Sequence, residues 1–141
     1  ACTRDARIGF LDDSIVRGTQ LKDNVVKLRE CGVKEVHIRI ACPPLIYPCC
    51  FLNFSTSRST FDLFARRVIR DLEGTSELTD EILKPYSDPD SEKYKEMVRV
   101  MCQHLQLDSL QFQRLDDLVK AIGLPKEQLC THCWDNSSYM E

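Results

Sequence analysis

The stretch Ile8-Gly9-Phe10-Leu11-Asp12-Asp13-Ser14 constrains this chain more than any other. Four apolar or small residues read as a short buried strand, and it stops on two adjacent carboxylates. A polar loop runs on to Thr19. Leu21, Val25 and Leu28 then recur at i, i+4 and i+7, which predicts a helix from Leu21 to about Cys31 with Gly32 as its stop. Val36, Ile38 and Ile40 alternate with His37 and Arg39, the pattern of a second strand. Strand, loop, helix and strand over residues 8–41 spell a βαβ unit, which requires a parallel sheet and a right-handed crossover. Ligands of such sheets bind at the carboxyl ends of the strands, where the loop 12–19 lies.

At 141 residues the chain is long enough for one domain with a real core, and 43% hydrophobic with 29% charged residues is a folding, soluble composition. A net charge of −3 argues against a nucleic-acid footprint or a polybasic membrane surface. No apolar run approaches the roughly 18 residues of a membrane-crossing helix. The N-terminus has no signal-peptide core and no initiator Met, so a processed chain or a piece of a longer one is expected. Eight cysteines (Cys2, Cys31, Cys42, Cys49, Cys50, Cys102, Cys130 and Cys133) without a secretion signal are expected as cytoplasmic thiols or metal ligands rather than disulfides.

Beyond Ala41 the three prolines of residues 42–51 predict an irregular excursion. Phe61, Phe64, Val68, Ile69 and Leu72 predict a helix over 60–73. Ser76 or Thr79 can cap a short helix that Pro85 and Asp88-Pro89 break. A further helix fits 91–104, a last short strand Leu110 to Leu115, and an amphipathic helix Asp116 to Ile122, stopped at Gly123. Residues 1–60 would then be the sheet core with its loop. Residues 61–141 would be a helical extension and cysteine-bearing tail of the same domain.

The loop has a definite chemistry. Ser14 and Thr19 bring hydroxyls, Gly18 allows close backbone approach, and the following helix presents free N–H groups at a positive dipole end. That is a nest for a phosphate monoester. Asp12 and Asp13 suit the donors of a cis-diol or a Mg²⁺ ion. Diol, metal and phosphate together describe a ribose 5-phosphate. The alternative is a plain helix cap made by Asp12-Asp13-Ser14. Neither G-x-x-x-x-G-K-[ST] nor G-x-G-x-x-G occurs.

"FLDDSIVRGT" resembles the phosphoribosyl pyrophosphate (PRPP) motif of the type I phosphoribosyltransferases, in the form carried by their glutamine-dependent amidotransferase branch. "GVKEVHIRIACPPLIYPC", "LQFQRLDDLVKAIG" and "LCTHCW" are similar to later segments of that branch. The resemblance covers most of the chain and is weakest over 64–105, which looks longer than in the best-known members. It implies an α/β fold: a partial parallel-sheet type I phosphoribosyltransferase domain with a helical C-terminal extension. It implies that Asp12 and Asp13 contact the ribose hydroxyls of PRPP and help hold Mg²⁺. Ser14, Ile15, Val16, Arg17, Gly18 and Thr19 would cradle the 5-phosphate. In that branch, ammonia from glutamine displaces pyrophosphate from C1 of PRPP to give 5-phosphoribosylamine for purine synthesis. Such a reaction rests on positioning and charge stabilisation, and no catalytic side chain is assigned.

Cys130-x-x-Cys133 has chelating spacing, though a redox pair or two idle thiols share it. Many members of the branch hold a [4Fe–4S] cluster on four cysteines, three of which match Cys49, Cys130 and Cys133. The fourth lies upstream of the nucleotide motif, and Cys2 is a poor substitute. His132 leaves zinc as an alternative, and no metal as another. Cys31 and Cys42 read as small core or near-surface residues, Cys102 as a packing residue, Trp134 and Tyr139 as aromatics that hold the tail, and His37 and His104 as solvated. The glutaminase domain, the pyrophosphate loop and the lid of the branch precede the PRPP motif. The chain therefore resembles only a C-terminal part. Its sheet would have an open edge, and alone it is expected to show no transferase activity. The complete enzyme is expected to be a homotetramer, with PRPP and glutamine as partners and no nucleic acid or membrane. The rival readings are a non-catalytic PRPP- or nucleotide-binding regulatory module and a zinc-stabilised interaction module.

Overall fold

The computed structural model describes residues 4–49 and 60–137. Cys2, Cys50 and Tyr139 lie outside the described residues. Strand β1 (Arg7–Asp12) leads through the loop to helix α1 (Thr19–Glu30) and strand β2 (Glu35–Ile40). Helices α2 (Phe64–Glu73), α3 (Asp80–Ser87) and α4 (Glu92–His104) follow. Strand β3 (Ser109–Phe112), α5 (Leu115–Ile122) and a one-turn α6 (His132–Asp135) complete the order. The strands form one sheet in the order β1-β2-β3, parallel throughout, with Ile8 opposite Val36 and Ile38 opposite Leu110. The predicted βαβ unit is therefore present, but β1, expected as a buried strand, is an edge strand with Phe10 and Leu11 exposed, and the C-terminal region adds a strand to the sheet as well as helices.

Alternation along β2 sorts its two faces. Val36, Ile38 and Ile40 are buried in a single apolar cluster with Val25 of α1, Val68 and Ile69 of α2, Leu83 of α3, Met97 and Met101 of α4 and Leu110 of β3. Burying a side chain of this size stabilises the fold by about 1.5–3 kcal/mol. The opposite face carries Glu35, His37 and Arg39. There His37 bridges Ser109 Oγ at 2.8 Å and Glu35 Oε2 at 3.0 Å. Those two partners, with Arg7 at 2.6 Å from Glu35, hold His37 half-buried where a solvated ring was expected. Asp108 ties β2 to the turn before β3: its Oδ2 accepts from the Val36 amide at 2.7 Å and from Arg29 at 2.5 Å. The Val36 amide, helped by Arg29, keeps that carboxyl below its ordinary range against an upward push from burial.

The predicted helices are present with shifted ends. α2 starts at Phe64, after a 3₁₀ turn over Thr60–Asp62. Ser91 caps α4 by accepting from Tyr94 N at 3.1 Å. Pro85 does not break α3, which runs through it to Ser87. The carbonyl that Pro85 cannot bond belongs to exposed Glu81, so the missing donor costs little there. Among the described residues, no helix is long and apolar enough to cross a membrane.

Candidate functional site

The loop 13–18 leaves the carboxyl end of β1 and enters α1 at its positive end. Its shape starts from one buried anchor: Ile15 is 6% exposed and belongs to the core. Gly18 sits at the N-cap with φ +75°, a left-handed conformation that favours glycine. Its carbonyl accepts from Lys22 N at 3.0 Å, opening the helix. No side chain caps α1 and no acidic residue occupies its first turn, so the amide donors of that turn stay available. Asp12, still in the strand, accepts the Asp13 amide on its carboxylate at 2.9 Å, and Asp13 accepts weakly from Ser14 Oγ at 3.4 Å. Both aspartates are exposed.

These residues enclose an open cleft of about 590 Å³, lined by Asp12 through Leu21 and Asn24. Every residue predicted for the PRPP site, Asp12 to Thr19, lines this one cleft. Carboxylates stand at its β1 side and helix amides at the other. The helix-cap alternative fails on one point: Gly18, and not Asp12, Asp13 or Ser14, occupies the N-cap.

Two residues missed at the sequence level complete the loop's surroundings. Phe64 N donates to Val16 O at 2.8 Å, and Arg67 Nη2 donates to Arg17 O at 2.6 Å. In sequence both look like ordinary members of an amphipathic helix, and only the long-range contact distinguishes them.

The cysteines gather beyond β2. Pro43, Pro44, Leu45, Ile46, Tyr47 and Cys49 are all buried. Ile46 N and Tyr47 N both donate to Cys133 O, at 2.9 and 3.0 Å, so the tail is latched to this segment. Thr131, 1% exposed, donates its hydroxyl to Asp135 at 2.7 Å and shapes the turn that carries Cys133. Burial, the charge and hydrogen bond of Cys49, and the charge of Cys130 push the Cys133 thiol up to about 12. Cys49 is therefore beside Cys133, while Cys130 is exposed. Thiols are the right donors for an iron–sulfur group, but among the described residues no three ligating side chains close to metal-binding distance.

Cys42 lies between the two regions. Burial pushes its thiol up to about 11; the Trp134 indole pulls it down, and Asp13 and Asp12 add a further push. The Trp134 N–H is buried without a full hydrogen bond, so its contact with the Cys42 sulfur is a loose one. Trp134 thus packs the tail against Cys42. Cys102 donates to Leu107 O at 3.3 Å, also a packing role.

No protein-family model matches the chain. It is 30% identical over 129 residues to an amidophosphoribosyltransferase of Methanothermobacter thermautotrophicus, across 92% of this chain and 21% of that protein. The solved allosteric regulatory enzyme of purine biosynthesis superposes on 96% of the chain with TM-score 0.63 at 25% identity, using 23% of its own length. The glutamine PRPP amidotransferase from B. subtilis, complexed with ADP and GMP, superposes on 93% with TM-score 0.60, again 25% identical and over 23% of its length. The chain thus spans about a fifth of the length of these relatives. In sequence and in fold, it resembles a part of the amidophosphoribosyltransferases along nearly all of its own length.

Proposed function

We propose that the chain supplies the ribose-phosphate half of an amidophosphoribosyltransferase site, as a C-terminal part of that enzyme. The observation that carries this reading is an uncapped helix N-terminus facing two exposed carboxylates across one cleft. An anion and a diol have complementary seats there. The names of the relatives point to the same chemistry.

In this reading the amides and hydroxyls from Ser14 to Thr19 take the 5-phosphate of PRPP. Asp12 and Asp13 accept hydrogen bonds from the ribose 2- and 3-hydroxyls. Ammonia released from glutamine attacks C1, the C1–O bond breaks, and pyrophosphate leaves with the electron pair. Ring charge grows positive as that bond lengthens, and the carboxylate pair beside the ribose favours that charge. Bound Mg²⁺ would offset the leaving pyrophosphate's charge; Asp12 and Asp13 are its candidate ligands, with water and substrate oxygens filling the other positions. Residues 1–60 carry this machinery, and residues 61–141 are the supporting extension of the same domain.

Cys49, Cys130 and Cys133 are proposed thiolate ligands of a [4Fe–4S] cluster, supported by the C-x-x-C spacing and by the contact of Cys49 with Cys133. Anaerobic reconstitution with iron and sulfide should give visible absorbance that Cys49→Ser or Cys133→Ser removes. Stoichiometric zinc without sulfide would overturn the cluster.

Calorimetry tests the main reading. The chain should bind ribose 5-phosphate with Mg²⁺ and should form no 5-phosphoribosylamine by itself. Lack of any ribose 5-phosphate binding would refute the site, and turnover by this chain alone would refute its standing as half of one.

A further inference from the structure

The contacts between α2 and the loop fix more than its position. Phe64 N holds the Val16 carbonyl at 2.8 Å, and Arg67 Nη2 holds the Arg17 carbonyl at 2.6 Å. In a trans peptide the C=O and the following N–H point in opposite directions. Turning the Val16 and Arg17 carbonyls toward α2 therefore turns the Arg17 and Gly18 amides away from it. Two consecutive amide donors are fixed in this way by hydrogen bonds that α2 donates to the carbonyls on their far side.

Arg67 is built for the task. Its Nη1 also donates to the carbonyls of Phe61 and Asp62, at 3.2 and 3.0 Å. One planar fork thus ties the 3₁₀ turn before α2 to the loop, which a lysine cannot do with a single point charge. The guanidinium lies over the Phe64 ring, 5.4 Å from its centroid. The same ring packs under Gly18, where an added Cβ would meet it at 3.1 Å. The Asp62 carboxylate stands 3.9 Å from Arg17. Turn, ring and fork form one bracket behind the loop, contributed by a region more than forty residues later in the chain.

We propose that Arg67, seated on Phe64, is the positioning residue of the phosphate cradle: it holds the Arg17 carbonyl, beside the Val16 carbonyl held by Phe64 N, so that the Gly18 and Arg17 amides are aimed before the ligand arrives. The proposal rests on the phosphate reading of the loop. It also assigns a use to the start of the region that least resembles the phosphoribosyltransferase pattern.

The test compares the full chain with Arg67→Met, Arg67→Lys and Phe64→Leu. Amide exchange without ligand reads the loop, calorimetry with ribose 5-phosphate reads the cradle, and thermal melting reads the fold. Arg67→Met should melt cooperatively, with loop exchange, read at the Phe64 amide that the Val16 carbonyl accepts, faster by about tenfold and β2 unchanged. Its ribose 5-phosphate affinity should fall at least about tenfold, while Arg67→Lys recovers part of both losses. Unchanged loop exchange in a folded Arg67→Met chain would overturn the proposal. If Arg67→Met does not melt cooperatively, Phe64→Leu takes its place under the same criteria. Should the unaltered chain fail to bind ribose 5-phosphate, the phosphate reading falls, and the exchange result alone decides whether Arg67 sets the loop.

Discussion

The segments that follow β1 and β2 leave the same end of the sheet, side by side, yet they are held by opposite poles of their peptides. The loop after β1 is gripped by its carbonyls, at Val16 and Arg17. The segment after β2 is gripped by its amides, since Ile46 N and Tyr47 N both donate to Cys133 O. It is gripped by a carbonyl as well, because Arg66 Nε donates to Ile46 O at 2.7 Å. Neighbouring arginines of α2 thus reach one segment each. The difference decides what each segment has left to offer. With its carbonyls engaged, the first presents amide donors and suits an anion. With both poles engaged and its surface buried, the second presents only side chains, and its chemistry is that of its thiols.

The largest effect should come from removing the acceptors of the first segment. In the complete enzyme, Asp12→Asn with Asp13→Asn should abolish detectable binding of PRPP with Mg²⁺ by calorimetry. Unchanged binding would leave the comparison without a ligand on the β1 side.

Thiol chemistry should separate the second segment from the exposed cysteines. In the metal-free chain, with its thiol raised to about 12 by burial and by Cys49, Cys133 stays protonated well above neutral pH. At pH 8 its thiolate fraction is far below that of an ordinary exposed cysteine. Iodoacetamide mapped by mass spectrometry should therefore modify Cys31 before Cys133 and Cys42. Early modification of Cys133 would mean that the latch is open in solution.

A smaller effect is expected at Gly18. Gly18→Ala forces a Cβ into a left-handed φ and against the Phe64 ring, at a cost of about 1–3 kcal/mol read from the urea midpoint. A neutral result would mean that the bracket behind the loop is loose.

The smallest concerns pH. Burial pushes the Asp135 carboxyl up, but bonds from Lys126, Thr131 and Ser137 outweigh it and leave it lowered. The stability it contributes is present above the ordinary Asp value near 4 and is lost as pH falls through the lowered one. Asp135→Asn should flatten that acid limb slightly in thermal melts; an unaltered limb would show that the tail turn does not depend on this charge.

What was legible in the sequence follows the range of the interactions. β1, α1 and β2 could be placed because an apolar run, helical spacing with Gly32, and alternation are local signals. The cleft could be placed because its lining is nearly one continuous run. The bracket could not: Phe64 and Arg67 have the spacing of any amphipathic helix, and their partners lie some fifty residues earlier. The Cys133 latch was hidden for a related reason, because it uses a backbone carbonyl, which every residue has. Pro85 misled because the cost of a proline depends on whether the orphaned carbonyl meets water, and burial is not written locally.

The register of the sheet also orders events in time. β1 and β2 are close in sequence, whereas Arg39 of β2 meets Ser109 of β3 across 70 residues. Closing that longer loop costs more chain entropy, so the βαβ unit is expected to form ahead of the third strand. On a ribosome the ligand loop would exist before α2 had emerged to brace it. The site would then mature in two stages, shape first and rigidity afterwards, with the cysteine latch closing last, when residue 133 arrives.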